Sequence, residues 1–181
     1  MFRRMTTLLI ALELAAWPSV NAVSASPSVE APPGVEIGLQ GDPLAIVVNR
    51  SNPVDDLPFS ELRKIFLGSR SHWSNGRRIT IVMRDPGEPE RRTILHEVCG
   101  MSEDQLKTHF LRGLFTGEIL VSPKVLSTPS GVRRFIFNVP GAIGYLRERD
   151  VDDSVKVVRI EELLPGDKGY RLRVQNQAVA E

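Results

Sequence analysis

Residues 77–98 read Arg77-Arg-Ile-Thr-Ile-Val-Met-Arg84, then Asp85-Pro-Gly-Glu-Pro-Glu90, then Arg91-Arg-Thr-Ile-Leu-His-Glu-Val98. The first part is an apolar, β-branched run that reads as a strand. Pro86-Gly87 makes a tight turn. Glu90 to Val98 then reads as a helix, with Ile94, Leu95 and Val98 at helical spacing and Gly100 as its stop. Strand, turn and helix in succession form the repeating unit of a layered α/β domain. The junction also poses a chemical question. A helix start presents free N–H groups and partial positive charge, so an oxyanion is at home there. Glu88 and Glu90 repel an anion, however, and Pro89 lacks one of the donors that would hold it.

Upstream, Leu44-Ala-Ile-Val-Val48 is a continuous apolar run, the pattern of a strand buried on both faces in a mostly parallel sheet covered by helices. Ser60 is placed to cap a helix carrying Leu62, Ile65 and Phe66, with Gly68 to end it. Downstream, Ser102 and Gln105 have capping-box spacing, and Leu106, Phe110, Leu111 and Leu114 extend an amphipathic helix. Thr128-Pro129 reads as a cap followed by proline in the first turn, ahead of Val132, Phe135, Ile136 and Val139. Ala142 to Leu146 and Val155 to Ile160 read as short strands, and Tyr170 to Val174 as a last one. No internal repeat is present.

The 181 residues suggest one domain, and 41% hydrophobic content is enough for a core. The amino-terminal 25 residues have the layout of a secretory signal peptide: Arg3 and Arg4, an apolar run from Leu8 to Trp17 interrupted by Glu13, then small residues before a cut after Ala25. Periplasmic export is the expectation. Residues 26–43, rich in proline, glycine and small side chains, read as a flexible leader, and residues 175–181 as a carboxy-terminal tail. Removing residues 1–25 takes away Arg3, Arg4 and Glu13, leaving 23 − 2 = 21 basic and 22 − 1 = 21 acidic residues. A neutral chain with scattered arginine pairs argues against nucleic acid as a partner.

The available chemistry is narrow. His72, His96 and His109 share no metal-ligand spacing, and the single cysteine, Cys99, falls on an apolar helical pattern, as a buried side chain does. No nucleophile elbow occurs. Asp55-Asp56, Asp152-Asp153 and Glu161-Glu162 lie in polar connectors. These residues point to neither an enzyme, a metal nor a cofactor. Two oxyanion-friendly helix starts remain, one with Arg84, Gly87 and Arg91, the other with Ser130 and Gly131. Arginine grips oxyanions with paired hydrogen bonds, and serine adds a donor.

Four phrases in order, Ile46-Val-Val-Asn-Arg-Ser-Asn-Pro53, Leu57-Pro-Phe-Ser-Glu-Leu-Arg-Lys-Ile-Phe-Leu-Gly68, Trp73-Ser-Asn-Gly76 and Pro140-Gly-Ala-Ile-Gly-Tyr145, resemble the phosphate-binding proteins of bacterial ABC transporters. The resemblance runs over residues 44–174. It implies a single lobe of a type II periplasmic-binding-protein fold, with a mostly parallel sheet flanked by helices, where the family has two lobes around its ligand. It also implies a phosphate or other small-solute partner, an ABC transporter or other envelope protein, and a homodimer if two lobes face each other. In the family, arginine and a short spacer precede glycine-serine-glycine-threonine. Here Arg84 and Gly87 match, but Glu88, Pro89 and Glu90 replace the donors.

Each lost hydrogen bond to a charged group costs about 1.5–3 kcal/mol. Three such losses cancel most of the roughly 8 kcal/mol of a micromolar site. The expectation is a retained fold with weak phosphate affinity. The alternative is an interaction domain that docks an envelope protein or sensor through the old cleft edge. A cationic ligand on Glu88 and Glu90 ranks lower, because Arg84 and Arg91 offset those charges.

Overall fold

The computed structural model describes residues 41–174. The signal-peptide expectation, most of the leader and the carboxy-terminal tail lie outside the described residues. The first strand, β1 (Asp42–Asn49), begins two residues before the apolar run and has its last six residues buried. Its side chains alternate between two faces. Leu44, Ile46 and Val48 join a large apolar cluster, while Ala45 and Val47 join a smaller one on the other side.

The short β2 (Asp56–Leu57) leads into α1 (Phe59–Phe66), which buries Leu62, Ile65 and Phe66. Its amino-terminal cap position is Pro58, with no side-chain cap. Ser60 is therefore inside the helix, because proline's fixed φ starts the turn two residues earlier. Next come β3 (Thr80–Arg84) and α2 (Pro89–Thr93), which continues as a π-helical segment, Ile94–Cys99, ended by Gly100 in the left-handed conformation. α3 (Glu103–Thr116) starts with the complete Ser102–Gln105 capping box. The edge strand β4 (Lys124–Leu126) precedes α4 (Pro129–Asn138), which Thr128 caps. β5 (Ala142–Arg147), a 3-10 turn at Glu148–Asp150, β6 (Val155–Ile160) and β7 (Arg173–Val174) complete the described chain.

The strand order is β2-β6-β1-β5-β3-β4, with β7 pairing the start of β1. The α/β layering is as expected, but the sheet is mixed rather than mostly parallel. β1 runs antiparallel to β5, β6 and β7, whereas β3 is parallel to β4 and β5, and β2 to β6. The physical reason is plain: an uninterrupted apolar run reports cover on both faces and says nothing about strand direction. Residues 148–154 carry the chain back from the end of β5 to the start of β6, and Val151 packs onto the smaller cluster. A crossover without a helix escapes a reading that looks for one.

α1, the π-helical segment and α3 contribute Phe66, Ile94, Leu95, Val98, Leu106 and Phe110 to the larger cluster. α4 covers the other face with Val132 and Ile136. A Cβ on Gly144 would lie 3.1 Å from Ile136 Cδ1 and 3.2 Å from Val82 Cβ, so glycine lets the helix settle close on the sheet. No helix among the described residues is long and apolar enough to cross a membrane.

Candidate functional site

Parallel pairing aligns the carboxyl ends of β3 and β4, with Arg84 opposite Leu126. The loops leading to α2 and α4 therefore leave the same end of the sheet side by side. β5 ends at this level too, and Arg147 stands near the start of β1, where Leu44 is its partner. Open α/β sheets take their ligands outside such carboxyl ends.

Asp85-Pro-Gly-Glu88 forms a type II turn. Pro86 takes the second position, Gly87 has φ 89°, and the Glu88 N–H donates to the Asp85 carbonyl at 3.3 Å. The turn brings the Glu88 carboxylate back to Arg84, whose Nη2 lies 3.1 Å from Glu88 Oε2. The Arg84 side chain is 7% exposed and that of Glu88 37%. The Arg84 backbone N–H donates to the Tyr145 hydroxyl at 2.9 Å. Burial raises the Tyr145 phenol above its ordinary range, so it stays protonated. Arg84 Nε and Nη1 are buried and have no hydrogen-bond partner among the described residues.

Arg91 is held at all three of its guanidinium nitrogens. Its Nη1 donates to the Arg84 carbonyl at 2.8 Å, its Nε to Glu103 Oε2 at 2.9 Å, and its Nη2 to the other oxygen of Glu103. The fork ties α2 to the end of β3 and to the first turn of α3. Arg92 Nη1 donates to the Gly87 carbonyl at 2.6 Å, fastening the turn.

Glu90 is buried against Arg147, which also holds Asp42 at 2.8 Å, and Asp42 reaches Arg149 at 3.0 Å. Burial pushes the Glu90 carboxyl up. The Arg147 hydrogen bond, a backbone N–H and the charges of Arg147 and Arg84 outweigh it, and hold Glu90 below the usual range. Burial likewise disfavours charge on Arg147, but bonds to Glu90 and Asp42 raise its pKa on balance. Both shifts describe one ionised pair.

The structure thus gathers Arg84, Gly87 and Arg91 into one cluster. Ser130 and Gly131 lie in the first turn of α4 next to this cluster, where their donors are taken by the Thr128 cap. The Gly131 N–H donates to Thr128 Oγ1 at 3.0 Å and Ser130 Oγ to the same oxygen at 3.3 Å. Sequence reasoning missed Glu103, Tyr145, Arg147 and Asp42. Only an unusual arginine at the end of an apolar strand hinted at Arg147; the other three act through distant contacts that no local pattern announces.

Beside the cluster, Met83, Pro86, Arg91, Leu106, Phe110 and Val125 line a groove of about 480 Å³ between α3 and β4. Leu111 and Leu114, which also line it, are exposed, as is Val125. Among the described residues no group of three or more histidine, cysteine, aspartate or glutamate side chains is placed to hold a metal ion.

No family model matches the sequence. Solved structures do. An ABC-type phosphate transport receptor from Vibrio cholerae is similar with 25% identity and a TM-score of 0.56, over 70% of this chain and 49% of the receptor. A protein described as a phosphate ABC transporter substrate-binding protein, with phosphate bound, from Clostridium perfringens is similar with 22% identity and a TM-score of 0.57, over 70% and 48%. PstS from Borrelia burgdorferi is similar with 14% identity and a TM-score of 0.55, over 70% and 50%. The chain spans about half the length of the proteins it matches. The resemblance to phosphate ABC transporter substrate-binding proteins therefore holds for the fold, at the extent of a single lobe.

Proposed function

We propose that this chain is an exported, periplasmic lobe of solute-binding type whose phosphate site is occupied by its own carboxylates. It acts by contact with another envelope protein rather than by retaining phosphate or by catalysis. One observation carries the reading: the arginines that would grip an oxyanion already have partners within the chain, Arg84 with Glu88 and Arg91 with Glu103. A phosphate dianion entering there would displace one carboxylate and face Asp85 and Glu90 besides.

The exposed Leu111, Leu114 and Val125 of the α3–β4 groove supply a surface for such contact. Contiguous apolar patches of this kind mark protein-binding faces. Thermal unfolding of the chain with millimolar phosphate, sulfate, amino acids and organic acids tests the proposal. A ligand with a Kd near 10 µM shifts the transition visibly at that concentration. No shift with phosphate is the expected outcome, and a clear phosphate shift refutes it.

A second reading, small-solute binding by the lobe or by a homodimer of two facing lobes, is favoured by the two donors of Arg84 that have no partner among the described residues. Light scattering that shows a dimer, together with a solute-induced shift, would establish it.

A further inference from the structure

Arg84 has an arrangement that the ion pairs alone do not explain. A guanidinium is built to give two parallel hydrogen bonds to one carboxylate, yet Glu88 takes only one, through a single oxygen at 3.1 Å. Nε and Nη1 have no partner among the described residues, in a side chain that is 7% exposed. Buried donors are nearly always satisfied, so two on one head mark a site short of an acceptor.

The occupant of Nη2 is the more mobile of the two groups by position. The Glu88 side chain is 37% exposed, and it hangs on a turn whose Gly87 would have no atom within 4 Å of an added Cβ. Backbone bonds hold the turn, from the Glu88 N–H to the Asp85 carbonyl and from the Arg92 N–H to the Glu88 carbonyl, together with the Arg92 guanidinium on the Gly87 carbonyl, but none of them holds the Glu88 carboxylate itself.

We infer that Arg84 is a carboxylate-exchange site, in which Glu88 is an internal stand-in for a small external carboxylic acid. The inference rests on the reading above that the chain's own carboxylates fill the anion position, and it adds the ligand class and the exchange. Charge decides the class. An entering monocarboxylate adds one negative charge to a place where Asp85, Glu90, Glu103 and the displaced Glu88 already lie, the least that an anionic ligand can add, and Glu88, 37% exposed, turns its charge to solvent. A phosphate dianion brings one more negative charge than a carboxylate beside these groups, where Arg91 is held by Glu103, Arg147 by Glu90 and Asp42, and Arg92 by the Gly87 carbonyl. A free acid reaching Nη2 from the Glu88 side can span to a second donor of Arg84, a bond pair that Glu88 on its short turn does not make.

Acetate is the probe, and the Arg84 Nε–H resonance in a nitrogen-15 spectrum is the readout. In Glu88→Ala the resonance should move on titration with acetate and saturate at least ten times lower in concentration than in the wild type, while phosphate at the same pH leaves it in place. Glu88→Gln, which keeps the shape of the side chain without its charge, should fall between the two. No acetate-dependent movement in Glu88→Ala overturns the exchange site, as does phosphate saturating below acetate in that variant. Phosphate binding by the wild-type chain instead refutes the functional reading above, so the two failures are distinguishable.

Discussion

Replacing Glu90 by glutamine tests whether the strand-end cluster holds the lobe together. The Glu90 and Arg147 side chains are 7% and 12% exposed, so their pair sits largely out of water. Removing one partner of a buried pair costs about 3–5 kcal/mol, because the other charge is left uncompensated. Arg147 keeps Asp42 at 2.8 Å, which places the expected loss at the lower end, about 3 kcal/mol. For a domain of this size that corresponds to a fall in Tm of about 10 °C.

The pH dependence has a definite sign. The folded pKa of Glu90 is depressed, so its contribution is fully present above the ordinary glutamate value of about 4.3 and is lost as pH falls through the lower folded value. Glutamine does not titrate. Urea unfolding of both proteins from pH 7 to pH 3 should show a wide gap in stability that starts to narrow below about pH 4.3. A loss under 1 kcal/mol at pH 7, or a gap unchanged at pH 3, refutes the reasoning.

Gly144→Ala puts a methyl group 3.1 Å from Ile136 Cδ1 and 3.3 Å from the Val82 carbonyl; overpacking of this kind costs about 1–3 kcal/mol, measurable by urea unfolding. Ser102→Ala removes the side chain that accepts from the Gln105 N–H at 3.3 Å in the capping box, and should lower stability by about 1 kcal/mol in the same assay. Cys99 is fully buried, and burial pushes its thiol up to about 12. At pH 8 it should react with a disulfide reagent only as the chain unfolds, with rates that follow urea concentration; rapid labelling of the native chain would contradict its placement.

Local chemistry made much of the fold legible. Leu44 to Val48, the Ser102–Gln105 box and Thr128-Pro129 each specify their element through nearest neighbours, and the strand at Val155–Ile160 begins and ends where its apolar residues do. Direction was not legible, since LAIVV packs equally well beside parallel or antiparallel partners. Two-residue and three-residue strands such as Asp56–Leu57 and Lys124–Leu126 are too short to show a period. At the site, Glu88 and Glu90 were readable as opponents of an anion. The charge of Arg84, four residues from Glu88, was readable too, but the longer pairs were not: Glu90 meets Arg147 across 57 residues and Arg91 meets Glu103 across 12. Sequence spacing carries no information about such pairs, because the sheet brings them together only after it forms.

Isothermal titration of the wild-type chain with phosphate at neutral pH tests the central claim most directly. Internal ion pairs at Arg84 and Arg91 predict no saturable heat up to millimolar phosphate. Saturable binding with a Kd of about 10 µM or tighter, worth roughly 7 kcal/mol, would show that Glu88 and Glu103 yield to the ligand and that the lobe still captures phosphate.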